Sequence, residues 1–205
     1  MIHNYSELSP IALDCLKEIG NIGSGSAAAA LSDMLGRGVD IRVPKVHVLE
    51  YEQAIDVMGG PENVITGILI RLIGDVKGMI MFLLEQSFAD IVLNTFLCKD
   101  GVELVSMNEM ELSALQEMGN IMAGSYLQAL GQLTDLTIDM EPPSMTVDML
   151  GAIMNVPMTE FSEVADKVLF IDVGFVIEGN TINSSIILIP EMSSLETLMK
   201  KLGVM

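Results

Sequence analysis

Tryptophan is missing from this chain, aromatic residues make up only 4% of it, and cysteine and histidine occur twice each. Cys15 and Cys98 stand at unrelated positions, which excludes a disulfide framework and suits reduced, buried small residues of a cytosolic protein. Basic residues are scarce as well. Ten Lys and Arg against twenty-eight Asp and Glu leave a formal charge of −18. Such a surface repels phosphate backbones and anionic headgroups, so nucleic acid and membrane surfaces are poor partners. A basic patch on a protein partner would be attracted, although the acidity serves solubility equally well. No stretch is both long and apolar enough to span a bilayer. Met1 to Ser9 lack the basic region and apolar run of a signal peptide. The expected location is the cytoplasm.

What the chain does have is bulk. Half of its 205 residues are hydrophobic and seventeen are Met, a flexible filler for irregular cores and adaptable surfaces. A chain of this length can bury roughly 70% of its unfolded surface and needs no metal or disulfide to fold.

It also contains one pattern twice. A shift of ninety-nine positions lays Leu16, Glu18, Gly20, Asn21, Ile22, Gly25 and Ser26 over Leu115, Glu117, Gly119, Asn120, Ile121, Gly124 and Ser125. The match runs on without a gap to Pro44 over Pro143. A weaker echo, Gly78 to Glu85 over Ser184 to Glu191, closes each half. Internal repetition of this kind predicts a duplicated fold. Leu8 to Leu35 and Asn108 to Leu133 read as long helices. Strand patterns cover Val39 to Val48, Val64 to Leu72, Gly78 to Glu85, Leu136 to Met140, Lys167 to Ile177 and Ser184 to Glu191. Gly101, after Lys99 and Asp100, marks the junction. The expectation is one α+β domain of two repeats, about 8–100 and 108–205, related by a pseudo-twofold. Its long helices should pack on a shared, mostly antiparallel sheet. Strand order cannot be read from the pattern.

On the first helix Asp14, Glu18 and Asn21 occupy i, i+4 and i+7, within an arc of roughly 60° on one face. Gly25 extends that stripe, and Ser113, Glu117, Asn120 and Gly124 repeat it. A solvated helix face would carry such residues without function. However, Lys17 has become Gln116 and Ser24 has become Ala123, while the Glu and the Asn stand in both copies. Metal binding fits poorly, because one carboxylate and one amide per helix are a thin ligand set and His3 and His47 lie outside the motif. Paired-carboxylate chemistry fails because Ser113 replaces Asp14. A third possibility is water positioning, since an amide donates and accepts without titrating. Phosphoryl transfer rewards that role. Gly23-Ser24-Gly25-Ser26-Ala27-Ala28 imitates a dinucleotide-binding turn, but a helix pattern runs through it and Met122 replaces its first glycine.

The full spacing, Asp or Ser, three residues, Glu, two residues, Asn, twenty-two residues and Pro, resembles the CheC/CheX/FliY phosphatase family of bacterial chemotaxis. Asp14, Glu18, Asn21 and Pro44 fill it once; Ser113, Glu117, Asn120 and Pro143 fill it again. Two intact copies in a chain this long are similar to the CheC type. The resemblance implies an enzyme that hydrolyses the aspartyl phosphate of a CheY-type receiver. Asn21 and Asn120 would orient the attacking water, and Glu18 and Glu117 would pair with the receiver's lysine. Any divalent metal would belong to the receiver, the enzyme having no cofactor of its own and acting as a monomer. The resemblance further implies a second partner, the receptor deamidase CheD. Val147 to Ile153 looks like the short helix for that contact, with Asp148, Met149 and Leu150 as contact residues. Leu49 replaces Asp148 in the first half, which leaves one such site. Met149, Leu150 and Ile153 as plain core residues remain an equal reading. A docking module that binds receivers or the deamidase without catalysis is the alternative function.

Overall fold

Two helices of 26 residues, α1 (Pro10–Leu35) and α4 (Glu109–Thr134), carry the repeated pattern. The computed structural model describes residues 8–42, 44–99, 101–161 and 167–204; His3 and Asp100 lie outside them. Each helix starts where its sequence supplies a cap. Ser9 accepts a hydrogen bond from the Ala12 amide at 3.2 Å, with Pro10 behind it. Asn108 accepts from the amides of Met110 and Glu111, while Glu111 reaches back to the Asn108 amide at 2.8 Å. Gly36 and Asp135 end the two helices in left-handed conformations.

The remaining elements are strands β1 (Val39–Ile41), β2 (Lys45–Glu50), β3 (Val64–Gly74), β4 (Gly78–Leu84), β5 (Ile138–Met140), β6 (Ser144–Met149), β7 (Lys167–Ile177) and β8 (Asn180–Pro190). Helices α2 (Tyr51–Val57), α3 (Gln86–Leu97), α5 (Leu150–Phe161) and α6 (Met192–Lys201) complete them. All eight strands form one sheet in the order β1-β7-β8-β4-β3-β5, with β2 also on β7 and β6 also on β3. Every pairing is antiparallel. The first two strands of each copy therefore lie on the hairpin of the other copy. At the centre Met81 of β4 faces Ile187 of β8, its own counterpart in the repeat, so the pseudo-twofold passes between them.

A single strand over Val39 to Val48 was the expectation, and the sheet breaks it in two. From Ile41 to Lys45 the chain advances four residues while β7 advances three, from Phe175 to Asp172. The same extra residue appears between Met140 and Ser144 opposite Leu72 and Leu69. Pro44 and Pro143 stand at these bulges. Proline has no amide to give to a ladder, so it belongs at an interruption.

Helices α1, α4 and α3 cover one face of the sheet, with Phe88 of α3 tilted at 53° against Phe175 of β7 and 5.5 Å between ring centres. On the opposite face Ile153 of α5 packs over Gly67 of β3, and Arg71 pairs with Glu160. Strand β4 is buried along its whole length because both faces are covered. Helices α1 and α4 meet at Gly23, where an added methyl would overlap the ring of fully buried Tyr126. The pseudo-symmetric residues are Met122 and Ala27, also fully buried. Among the described residues no helix is long and apolar enough to cross a membrane.

Two stability measurements follow from these contacts. Gly23→Val should destabilise the fold by about 1–3 kcal/mol through overpacking, read as a lower Tm, and Tyr126→Leu in the same chain should recover part of the loss. Glu111, buried at the start of α4, pairs with Lys99. The Lys99 hydrogen bond and then the Asn108 amide hold its carboxyl below the usual value of 4.5, against the opposing effect of burial. A depressed folded-state value means the stabilisation is full above 4.5 and fades as pH falls through the lowered value. Glu111→Gln should therefore lower Tm at neutral pH, and its deficit should shrink in melts taken progressively below pH 4.5.

Candidate functional site

Each motif stripe lies on the outer side of its helix because the inner side is pressed onto the sheet. Leu16, Ile19, Leu115 and Met118 are buried beneath it. Gly20 permits the approach: a methyl there would come within 2.8 Å of Val46 on β2 and 3.3 Å of Ile171 on β7. At Gly119 an added methyl would overlap Ile68 of β3. Helix α1 thus rests partly on a strand of the second copy, and α4 on a strand of the first. These two glycines serve tight helix–sheet packing.

On the outer face Asp14, Glu18, Ser113 and Glu117 are exposed, while Asn21 and Asn120 are half-buried. Neither Glu18 nor Glu117 forms an ion pair or hydrogen bond among the described residues. The side-chain oxygen of Asn21 is covered by protein and has no hydrogen-bond partner among the described residues. Neither polar group of the first motif is consumed by a structural bond among the described residues; the carboxylate is open to an incoming molecule, while the Asn21 oxygen is turned into the protein. Both prolines sit close by. Gly25 faces Ile41 on one side of the bulge and Gly20 faces Val46 on the other, so Asn21 lies beside the segment that contains Pro44. In the second copy Gln116 Nε2 donates to the Pro143 carbonyl at 2.7 Å. Ladder bonds anchor both bulges, from the Arg42 amide to Gly174 O at 2.8 Å and from the Glu141 amide to Arg71 O at 3.0 Å.

The sequence pattern alone did not single out Gln116 as part of the site. Its signal was a paired exchange. In the first copy Lys17 Nζ holds Asp14 at 2.8 Å. In the second, Ser113 replaces that carboxylate and Gln116 turns to the proline loop instead. The Asp–Ser difference thus redirects a neighbouring side chain and leaves the Glu and Asn positions alone. No three His, Cys, Asp or Glu side chains among the described residues converge as metal ligands.

The segment Val147 to Ile153 differs from its expected form. Val147, Asp148 and Met149 end strand β6, and the helix begins only at Leu150. Leu150 is fully buried and Ile153 nearly so, which makes them core, whereas Asp148 and Met149 are exposed. The cause is the alternation of the strand followed by a helix whose apolar side covers β3. Beside this turn, Asp148, Met145, Ala152 and Val156 line a cleft of about 400 Å³.

Comparison with known proteins agrees with this architecture. A family model described as CheC-like matches residues 11–48 and 110–147, the two motif-bearing segments. CheY-P phosphatase CheC of Bacillus subtilis is 31% identical over 195 residues, covering 93% of each chain. The flagellar motor switch phosphatase FliY of the same organism is 34% identical over 143 residues, 69% of this chain and 37% of that one. Among solved structures, Thermotoga maritima FliY superposes with a TM-score of 0.76 at 24% identity, over 96% of this chain and 98% of that one. With a matched motif in both copies and a relative aligned nearly end to end, the chain belongs to the CheC-like family.

Proposed function

We propose that this protein is a phosphatase that hydrolyses the aspartyl phosphate of a CheY-type receiver, once on each long helix. The observation that carries the reading is the duplicated Glu–Asn pair on one stripe of a helix braced by the sheet, the Glu exposed and the Asn half-buried, with no structural bond to the Glu carboxylate or the Asn21 oxygen among the described residues. Relatives named as CheY-P phosphatases give it further support.

Glu18 and Glu117 pair with the lysine of the receiver's phosphorylation site and fix the docked orientation. Asn21 and Asn120 then reach the phosphoryl group. Each amide accepts from and donates to one water and so holds it in line with the phosphorus–oxygen bond to the aspartate. The water oxygen attacks phosphorus, that bond breaks, and inorganic phosphate leaves with the receiver carboxylate restored. Charge development is met by the receiver's own lysine and divalent metal, so the enzyme supplies water order and solvent exclusion. The bulges at Pro44 and Pro143 hold the neighbouring loop against the helix, in the second copy through Gln116. Both sites belong to one chain, so activity requires no second copy. The deamidase CheD would dock at the turn between β6 and α5, through Asp148 and Met149 and the adjoining cleft. Leu150 would support that surface from beneath.

The test is the phosphate lifetime on a purified, phosphorylated CheY-type receiver. Asn21→Ala with Asn120→Ala should abolish the shortening, a loss of about a hundred- to a thousand-fold, with Tm unchanged. Either single variant should retain activity. Glu18→Gln with Glu117→Gln should mainly raise KM. Full stimulation by the double Asn variant would overturn the mechanism, and a receiver that binds with unchanged lifetime would favour the docking module.

A further inference from the structure

We propose that each receiver is gripped along a strip extending past the Glu–Asn pair in both directions, from an apolar anchor at Ile11 or Met110 to bare helix at Gly25 or Gly124. The inference rests on the receiver being the substrate of this site.

The glycines give the first observation. Gly20, Gly119 and Gly23 are each explained by a neighbour that a methyl would strike. Gly25 and Gly124 are not. Among the described residues a methyl on Gly25 would meet only Ile41 Cδ1 at 4.0 Å, and one on Gly124 only Met140 Cε at 3.7 Å, both ordinary contacts. Glycine is the poorest helix former after proline. Nothing in the packing of the described residues calls for it, yet it stands at this place in both copies, half-buried and four residues after the Asn. A side chain here would hold a docked surface away from the helix; its absence lets another backbone come close.

The second observation lies at the other end. Ile11 and Met110 are each the second residue of their helix, and they are 66% and 67% exposed. Single exposed apolar residues are ordinary. Here the residue type changed between copies while position, apolar character and exposure did not. Both stand seven residues before the Glu, two turns or about 10 Å along the same face. The strip from anchor to glycine spans about 21 Å of helix. That length lies within the span of one partner's share of a standard interface, about 800 Å² or roughly 30 Å across. A few desolvated anchor residues carry most of the affinity of such interfaces. Continuity with the Glu–Asn pair identifies the occupant as the receiver's surface around its phosphorylation site.

Two double variants test this: Gly25→Ala with Gly124→Ala, and Ile11→Gln with Met110→Gln. Each is melted alone and then titrated with a CheY-type receiver charged with beryllofluoride to imitate the phosphorylated form. The alanine variant should gain about 2–4 °C in Tm per glycine while its Kd rises about tenfold or more. The glutamine variant should keep its Tm and lose a similar factor in affinity. A lower Tm in the alanine variant would return the glycines to internal packing. Unchanged affinity in either variant would remove that end of the strip. If the unaltered protein binds the receiver without shortening its phosphate lifetime, the phosphatase reading fails and the affinities still judge the strip. If it does not bind at all, both fall.

Discussion

Neither copy of the repeat can finish a sheet by itself. Among the described residues the edge strands β1 and β2 pair with β7 and with no strand of their own copy, and β5 and β6 likewise pair with β3. An unpaired row of amides and carbonyls beneath a covering helix would be costly, so the two copies form together. The exchange also decides where the chemistry sits. Helix α1 rests on Ile171 and α4 on Ile68, each a residue of the opposite copy. Each candidate site is thus aimed by a strand on which it has no direct claim in sequence, and a shift in either hairpin would reach both stripes.

Within that frame the copies have diverged by compensated exchanges. Where α1 gives Gly23 to the ring of Tyr126, the mirrored positions hold Met122 on α4 and Ala27 on α1, so α4 supplies the large residue on both sides of the pseudo-twofold and α1 the small one. The hydroxyl of Tyr126 is left buried without a hydrogen-bond partner among the described residues, and burial pushes its titration well above the usual phenol range. It is present as bulk. On the outer face the exchange of Asp14 and Lys17 for Ser113 and Gln116 swaps an exposed ion pair, worth little by itself, for a bond to the proline loop. The Glu and the Asn lie between these changes unaltered.

Much of this was legible in the sequence, for definite reasons. The long helices had caps and uninterrupted 3.6 periodicity, and β7 came out with its expected ends, Lys167 and Ile177. The Glu–Asn stripe was visible because a helix places i, i+4 and i+7 together whatever lies beneath. Strand β6 was overlooked, although Ser144 to Met149 stands ninety-nine residues after β2; its exposed alternation offers little apolar signal. The breaks at Pro44 and Pro143 depend on pairing register, which one strand's residues do not encode. Leu150 stays open in the sequence between a contact residue and core, because a strand-to-helix turn reverses which side of the chain faces the core. The glycines are legible in part: place on the polar stripe separates Gly25 from Gly20, but the neighbours a side chain would strike at Gly20 and Gly23 come into view only in the fold.

The contact between Met81 and Ile187 says something about ancestry. A strand opposite its own counterpart is what two identical subunits make when they meet about a dyad. A single-copy forerunner could have built this sheet from two separate polypeptides, at the mercy of their concentration. Fusion made the encounter unimolecular and independent of dilution. It also ended an obligation. In a homodimer every mutation appears on both sides of the dyad, so a glycine opposite a tyrosine must be matched by the same pair reflected. One chain with two halves can accept a change on one side and answer it on the other, and specialise its two sites separately.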